Sequence, residues 1–216
     1  MVKSSILSKV RKLDHSFLNL SESRSSLNLK LLKKSYTMGQ PHGNSVSQIN
    51  TKKYYSKSDG LIALKSANLT VKTADCVPVF LYEKNKRIVA VIHAGWRGLL
   101  SGIIKNCCEQ MKNCGAHTKN TIVAIGPHIG QCCYQVDRKF VEKFNNIVKP
   151  GRDFYKIQYG MHFVNLAFLV KYQLIQNGIV AENIDDVNIC TKCNSEYASY
   201  RRDKTLSRNY SFITIQ

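Results

Sequence analysis

The chain has 216 residues and a mass of 24.5 kDa, with 44% apolar and 21% charged residues. That is an ordinary globular balance, long enough for one sizeable core, and it excludes disordered and fibrous classes. The formal net charge is +18, and residues 1–57 carry half of it, with eleven basic and two acidic side chains.

The first twenty residues, MVKSSILSKVRKLDHSFLNL, are basic but lack the unbroken apolar core and small-residue cleavage site of a secretory signal. No apolar run reaches the roughly 18–20 residues of a membrane helix. The expectation is a cytoplasmic protein whose eight cysteines are reduced thiols. The excess of lysine suits anionic substrates or nucleic acid. Because the basic N-terminal stretch has no interleaved aromatics, a solvated lysine-rich surface is favoured over a nucleic-acid-binding module, which stays as the non-enzyme alternative.

Residues 1–57 are weakly periodic, and Leu27, Leu29, Leu31 and Leu32 form their main apolar cluster, as a short strand or helix. Strands are expected over Leu69 to Lys72, Val77 to Tyr82 and Arg87 to Ile92, the last two joined by a turn at Lys84-Asn85-Lys86. Leu99, Leu100, Ile103, Ile104, Cys107, Cys108 and Met111 then recur at helical steps, ending at Gly115. That spacing makes Cys107 and Cys108 core residues. Thr121 to Ile125 reads as a strand, and Asp137 as the N-cap of a helix that turns Phe140, Val141, Phe144 and Val148 inward. A further helix runs from near Asn165 to Gly178, and strands over Val187 to Cys190 and Tyr210 to Ile215 close the chain. With no internal repeat and no linker, the pattern is one α+β domain with adjacent antiparallel strands.

The usual ATPase, dinucleotide, serine-hydrolase, zincin and cytidine-deaminase motifs are absent. The informative segment is TADCVPVFLYEKNKRIVAVIHAGWRGLL. Its hairpin brings Cys76, before one strand, close to His93, after the next. Such a pair is a thiolate–imidazole dyad or two metal ligands. HAGWRG then places Arg97 at the start of a helix, where backbone N–H groups and a guanidinium suit an anion; pairing with an acidic side chain is the equal alternative.

His42, in the loop QPHGNSV, completes a Cys-His-His set that leaves an open position on tetrahedral zinc. The same set also suits copper. His128, in GPHIG, is placed beside the site without being a ligand, and His15, His117 and His162 are surface or packing residues. Arg201 and Arg202 with Asp203 form either a salt-bridged turn or an anion clamp. Cys190 and Cys193 make one C-x-x-C, whereas a zinc ribbon requires two such pairs, and Cys132-Cys133 read as packing beneath the Gly-Pro loop. One metal per chain is expected.

Together QPHGNSV, SDGLIA, TADCVPV, VIHAGWRGL, AIGPHIGQCCYQV and SYRRD resemble, in order, the laccase-domain or polyphenol-oxidase-type proteins read as purine nucleoside phosphorylases. The resemblance covers roughly residues 40–216. It implies a single α/β sandwich with a mixed, largely antiparallel sheet, like the catalytic domain of cytotoxic necrotizing toxins. It also implies zinc held by His42, Cys76 and His93, with phosphate and a purine nucleoside (adenosine, inosine or S-methyl-5′-thioadenosine) as substrates. Arg97, Arg201 and Arg202 would neutralise the phosphate, His128 would line the substrate site, and adenosine deamination is a further implied activity.

The start of the chain departs from that pattern. Family members carry S-x-R-x-G-G-V-S and a helix upstream, whereas here 41 residues precede His42 and LNLSESRSSLNLKL stands as a shortened counterpart containing Arg24. True multicopper laccase chemistry is rejected, because six histidines with no H-x-H pair cannot hold the copper clusters. The main alternative is a metal-free cysteine hydrolase acting on an amide, with Cys76 as nucleophile, His93 as base and Asp75 as candidate orienting group.

Overall fold

The computed structural model describes residues 1–148 and 154–216. At its centre lies a six-stranded sheet in the order Ile184–Asp186, Thr121–Ile125, Val77–Glu83, Ile88–Ala94, Gly60–Ala63 and Val46–Gln48. Its inner pairs are antiparallel, and each edge strand runs parallel to its neighbour. Every residue of Val77–Glu83 and Ile88–Ala94 is buried. Continuous burial of this kind arises when both faces of a sheet are covered.

Alternation along these strands divides the core in two. Val77, Val79 and Leu81 face the helices Ile103–Asn113 and Leu166–Gln176, with Ile103, Cys107, Met111, Leu169 and Val170. Phe80 and Tyr82 face a second, antiparallel sheet of Leu13–Phe17, Asn209–Ile215 and Ala67–Thr73. There Phe17 stacks on Phe80 with ring centroids 4.7 Å apart. A small three-stranded sheet, Gln135–Val136, Met161–Val164 and Tyr155–Gln158, flanks the helical layer. The molecule is thus a mixed α/β fold with largely antiparallel sheets, as the alternation of elements implies. No helix among the described residues is long and apolar enough to cross a membrane.

Several elements differ from the sequence reading. The periodic run after Arg97 is two helices, Trp96–Leu100 and Ile103–Asn113, because Gly102 takes φ +84° between them. The helix capped by Asp137 ends at Glu142, yet Phe144 and Val148 stay buried through the turns that follow. The penultimate strand is Ile184–Asp186 rather than Val187 to Cys190. Leu27, Leu29, Leu31 and Leu32 do lie in a helix, Ser26–Lys34, one of the two forms expected of that cluster, with Leu27 and Leu29 73% and 44% exposed. Cys107 and Cys108 are buried in the helical core, as their spacing requires.

Candidate metal centre and active-site cleft

Three segments build the site. Gln40 grips the backbone of Lys72 at two points: its Nε2 donates to the Lys72 carbonyl at 2.5 Å and its Oε1 accepts the Lys72 N–H at 3.0 Å. This anchors a turn in which Gln40 and His42 take φ of +59° and +66°. The backbone N–H groups of His42 and Gly43 donate to the two oxygens of Asp59 at 2.9 and 2.7 Å. Asp59 is fully buried, and its Oδ1 also lies 2.9 Å from His93 Nδ1. One carboxylate therefore fixes both histidines, through the backbone of one and the ring of the other.

The hairpin supplies the rest. In its register Pro78 pairs with His93 and Val77 with Ala94, which sets Cys76 at the sheet end beside the following Gly95. His42, Cys76 and His93 present ligand atoms that all lie within 4.8 Å of one another. The His42 and His93 rings meet edge to face at 4.7 Å. Burial would raise the Cys76 thiol, but the charge of His93 and hydrogen bonds from both histidines bring it down to about 6. Burial would likewise lower His93, but Cys76 and Asp59 bring it up to about 9. Each group therefore favours the charged form of the other.

The donor set fits a tetrahedral cation. Bonds of about 2.0–2.3 Å place two ligands roughly 3.3–3.8 Å apart, so the three atoms close on an ion with a shift of an ångström or less. Asp59 on His93 Nδ1 is the carboxylate support that metal-bound imidazoles commonly carry. It leaves Nε2 for the cluster.

The cluster opens onto a cleft of about 590 Å³, within the range of small-molecule sites. Lys72, Arg97, Arg201, Lys204 and Arg208 line it, and Asp75 is the one carboxylate among the lining residues. Both Asp75 oxygens are engaged: Oδ1 accepts from Thr191 Oγ1 at 2.7 Å and Oδ2 from the Arg201 N–H at 2.6 Å. Asp75 is thus not the orienting group of His93; Asp59 is. The Arg97 guanidinium is exposed, lies 4.4 Å over the Trp96 ring, and makes no ion pair among the described residues. Arg201 lies 5.0 Å over Tyr134 and donates to the Gln135 carbonyl.

Other expected site residues lie elsewhere. The Arg202 guanidinium donates to the carbonyls of Thr191, Lys192, Asn194 and Tyr197 and pairs with Asp203, so it ties down a loop instead of facing the cleft. His128 is buried, donates from Nδ1 to the Gly126 carbonyl at 2.8 Å and lines a separate cavity with Lys171, Asp186 and Cys190. Arg24 borders a third cavity with Leu206 and Arg208. Among the residues that sequence reasoning missed, Asp59 had one signal, its place in SDGLIA; Lys72 and Arg208 had none.

The chain is similar to several known proteins over most of its length. A purine nucleoside phosphorylase of Clostridium acetobutylicum is 36% identical over 181 residues, 81% of this chain and 74% of the relative. One from Campylobacter jejuni is 32% identical over 199 residues, covering 89% and 82%. An adenosine deaminase from an unknown prokaryotic organism is 35% identical over 159 residues, covering 70% and 58%. The crystal structure of YlmD from Geobacillus stearothermophilus superposes with a TM-score of 0.80 at 26% identity, covering 86% of this chain and 74% of that one. Residues 15–216 match the model of the multi-copper polyphenol oxidoreductase laccase family, and the chain belongs to that family.

Proposed function

We propose that this chain is a purine nucleoside phosphorylase working at the His42–Cys76–His93 centre. The observation that carries the reading is the cleft itself: five cationic side chains surround a space in which the single carboxylate is already hydrogen-bonded. Such a site favours a phosphate dianion, and Trp96 and Tyr134 add aromatic surface for a purine. The relatives named as purine nucleoside phosphorylases support phosphate and a purine nucleoside as the substrate class, and adenosine, inosine and S-methyl-5′-thioadenosine are the nucleosides we propose.

His42, Cys76 and His93 would hold the metal, with zinc favoured over copper by one thiolate and two imidazoles in a tetrahedral set. Bound there, the ion supplies Lewis-acid polarisation of a substrate oxygen. Arg97 and Arg201 neutralise and orient the phosphate, so that one of its oxygens bonds to C1′ of the ribose as the C1′–N9 bond breaks. The purine leaves with a proton and the sugar as ribose 1-phosphate. The eight free cysteines suit a reducing, cytoplasmic setting.

Two other chemistries share these residues. The relative named as an adenosine deaminase, together with the metal-ligand set, favours deamination as an additional activity. The series Cys76, His93, Asp59 also has the form of a cysteine-hydrolase triad. Incubating adenosine with the protein, with and without phosphate, separates phosphorolysis from deamination and from hydrolysis of the nucleoside. Adenine and ribose 1-phosphate formed only with phosphate is the expected result, and inosine marks deamination. Adenine and free ribose formed equally well without phosphate would overturn phosphorolysis.

A further inference from the structure

Outside the cleft, the structure gathers four thiols that the sequence separates. Cys132 and Cys133 lie in the turn after Gly130, and Cys190 and Cys193 in the loop after the strand Ile184–Asp186. All four Sγ atoms lie within 4.8 Å of one another, with Cys133–Cys193 at 3.3 Å and Cys132–Cys193 at 3.6 Å. None is in a disulfide. Four sulfurs bound tetrahedrally at about 2.3 Å stand about 3.8 Å apart; the Cys133–Cys193 and Cys132–Cys193 separations fall a few tenths of an ångström short of that value, and all four sulfurs lie within 4.8 Å of one another. Disulfides would bring one or two pairs to about 2.0 Å, and none of the four thiols is so paired. The pair missing from a zinc-ribbon pattern is therefore supplied by Cys132-Cys133, which are exposed and half-buried and do not act only as packing.

We propose that Cys132, Cys133, Cys190 and Cys193 form a second metal centre, a tetrathiolate that binds one zinc ion and staples two loops behind the active-site cleft. The thiols release their protons as they coordinate, and the backbone N–H of Gly130 donates to the Cys190 sulfur at 3.2 Å, a contact that favours the thiolate. Zinc is the ion of choice for four sulfurs in tetrahedral array.

The staple has a position in the fold that gives it a purpose. The loops meet at a short bridge in which His128 N–H donates to the Ile189 carbonyl and Thr191 N–H to the His128 carbonyl. Thr191, next to Cys190, holds Asp75, next to Cys76, and Asp75 holds the Arg201 N–H. Arg202 gathers the carbonyls of the same loop. Zinc at the four cysteines thus fixes the wall that presents Arg201 to the cleft. This centre is independent of the His42–Cys76–His93 cluster and of any reading of the reaction there.

Zinc analysis of the full chain, purified with a thiol reductant and no chelator, tests the assignment. Two zinc ions per chain are expected, falling to one in Cys190→Ser/Cys193→Ser and to one in His42→Ala/Cys76→Ala. Cobalt(II) added to the zinc-stripped His42→Ala/Cys76→Ala protein should give the intense visible and sulfur-to-metal absorption of a tetrathiolate, and this readout stands even where the cysteine variant fails to fold. Zinc content unchanged by Cys190→Ser/Cys193→Ser would overturn the proposal. So would a cobalt spectrum without thiolate bands, or a disulfide within the cluster of protein kept under reductant.

Discussion

Gly95 lies directly against Cys76: a Cβ at this glycine would meet the Cys76 sulfur and His42 Cδ2, each at 3.2 Å. Its backbone, with φ −81° and ψ 164°, is open to any residue, so only the lost space distinguishes alanine here. Gly95→Ala should spread the three donors and weaken metal binding about tenfold or more while leaving the fold intact. Competition with a chelator, alongside circular dichroism, measures this. Wild-type metal affinity in the variant would show that the cluster tolerates the methyl group and is looser than described.

Asp59→Asn tests the carboxylate that joins the two histidines. An amide keeps the shape but presents one oxygen and one N–H₂ where Asp59 accepts three contacts. At least one buried donor loses its acceptor, at a cost of about 1–3 kcal/mol in stability. Metal affinity should fall roughly 10- to 100-fold, because His93 loses the partner that fixes its tautomer. A stability loss with unchanged metal affinity would limit Asp59 to shaping the His42 loop.

The contrast between Cys76 and Asp59 shows what the sequence makes legible. The buried runs Val77–Glu83 and Ile88–Ala94 announce a hairpin by composition alone, and a hairpin forces Cys76 and His93 to one sheet end. Asp59 is 34 residues from His93, and Cys133 is 60 from Cys193. No local periodicity connects positions that meet through loops, so the third member of the series and the second half of the thiol cluster emerge only in three dimensions. The strand Leu13–Phe17 stayed hidden for another reason: it is buried on both faces from His15 on, and its consecutive buried residues His15 and Ser16 are polar, which masks any apolar pattern. Arg202 looked like a substrate ligand because a guanidinium that satisfies loop carbonyls and one that awaits phosphate have the same sequence.

Arg97 separates phosphorolysis from hydrolysis. Its guanidinium faces the cleft with no carboxylate partner among the described residues, so a phosphate is the ion it would clamp. Arg97→Lys keeps the charge and loses the bidentate fork, an effect of ~2–4 kcal/mol on the transition state. Adenine release from adenosine should drop roughly 30- to 1000-fold, with weaker dependence on phosphate and an unchanged fold. Equal release by both proteins in the absence of phosphate would make Arg97 structural.

His15 gives the fold an acid limit. Its ring is buried edge-on against the stacked Phe17 and Phe80, and its Nε2 accepts the Ser4 N–H at 2.8 Å, which only the neutral form can do. Burial, with Lys3 nearby, lowers its pKa from 6.5 to about 4. The unfolded chain therefore binds this proton more readily than the folded one between those values. The contribution to stability is complete above about pH 6.5 and is lost progressively as the pH falls towards 4. From pH 7.5 to pH 5 the loss amounts to about 2 kcal/mol. Replacing the imidazole removes the titration, so urea unfolding of His15→Gln should lose about 2 kcal/mol less than wild type over the same interval, even though the variant starts less stable. Parallel pH profiles for the two proteins would mean that His15 titrates alike in the folded and unfolded chains and that its Nε2 does not hold the Ser4 N–H as described.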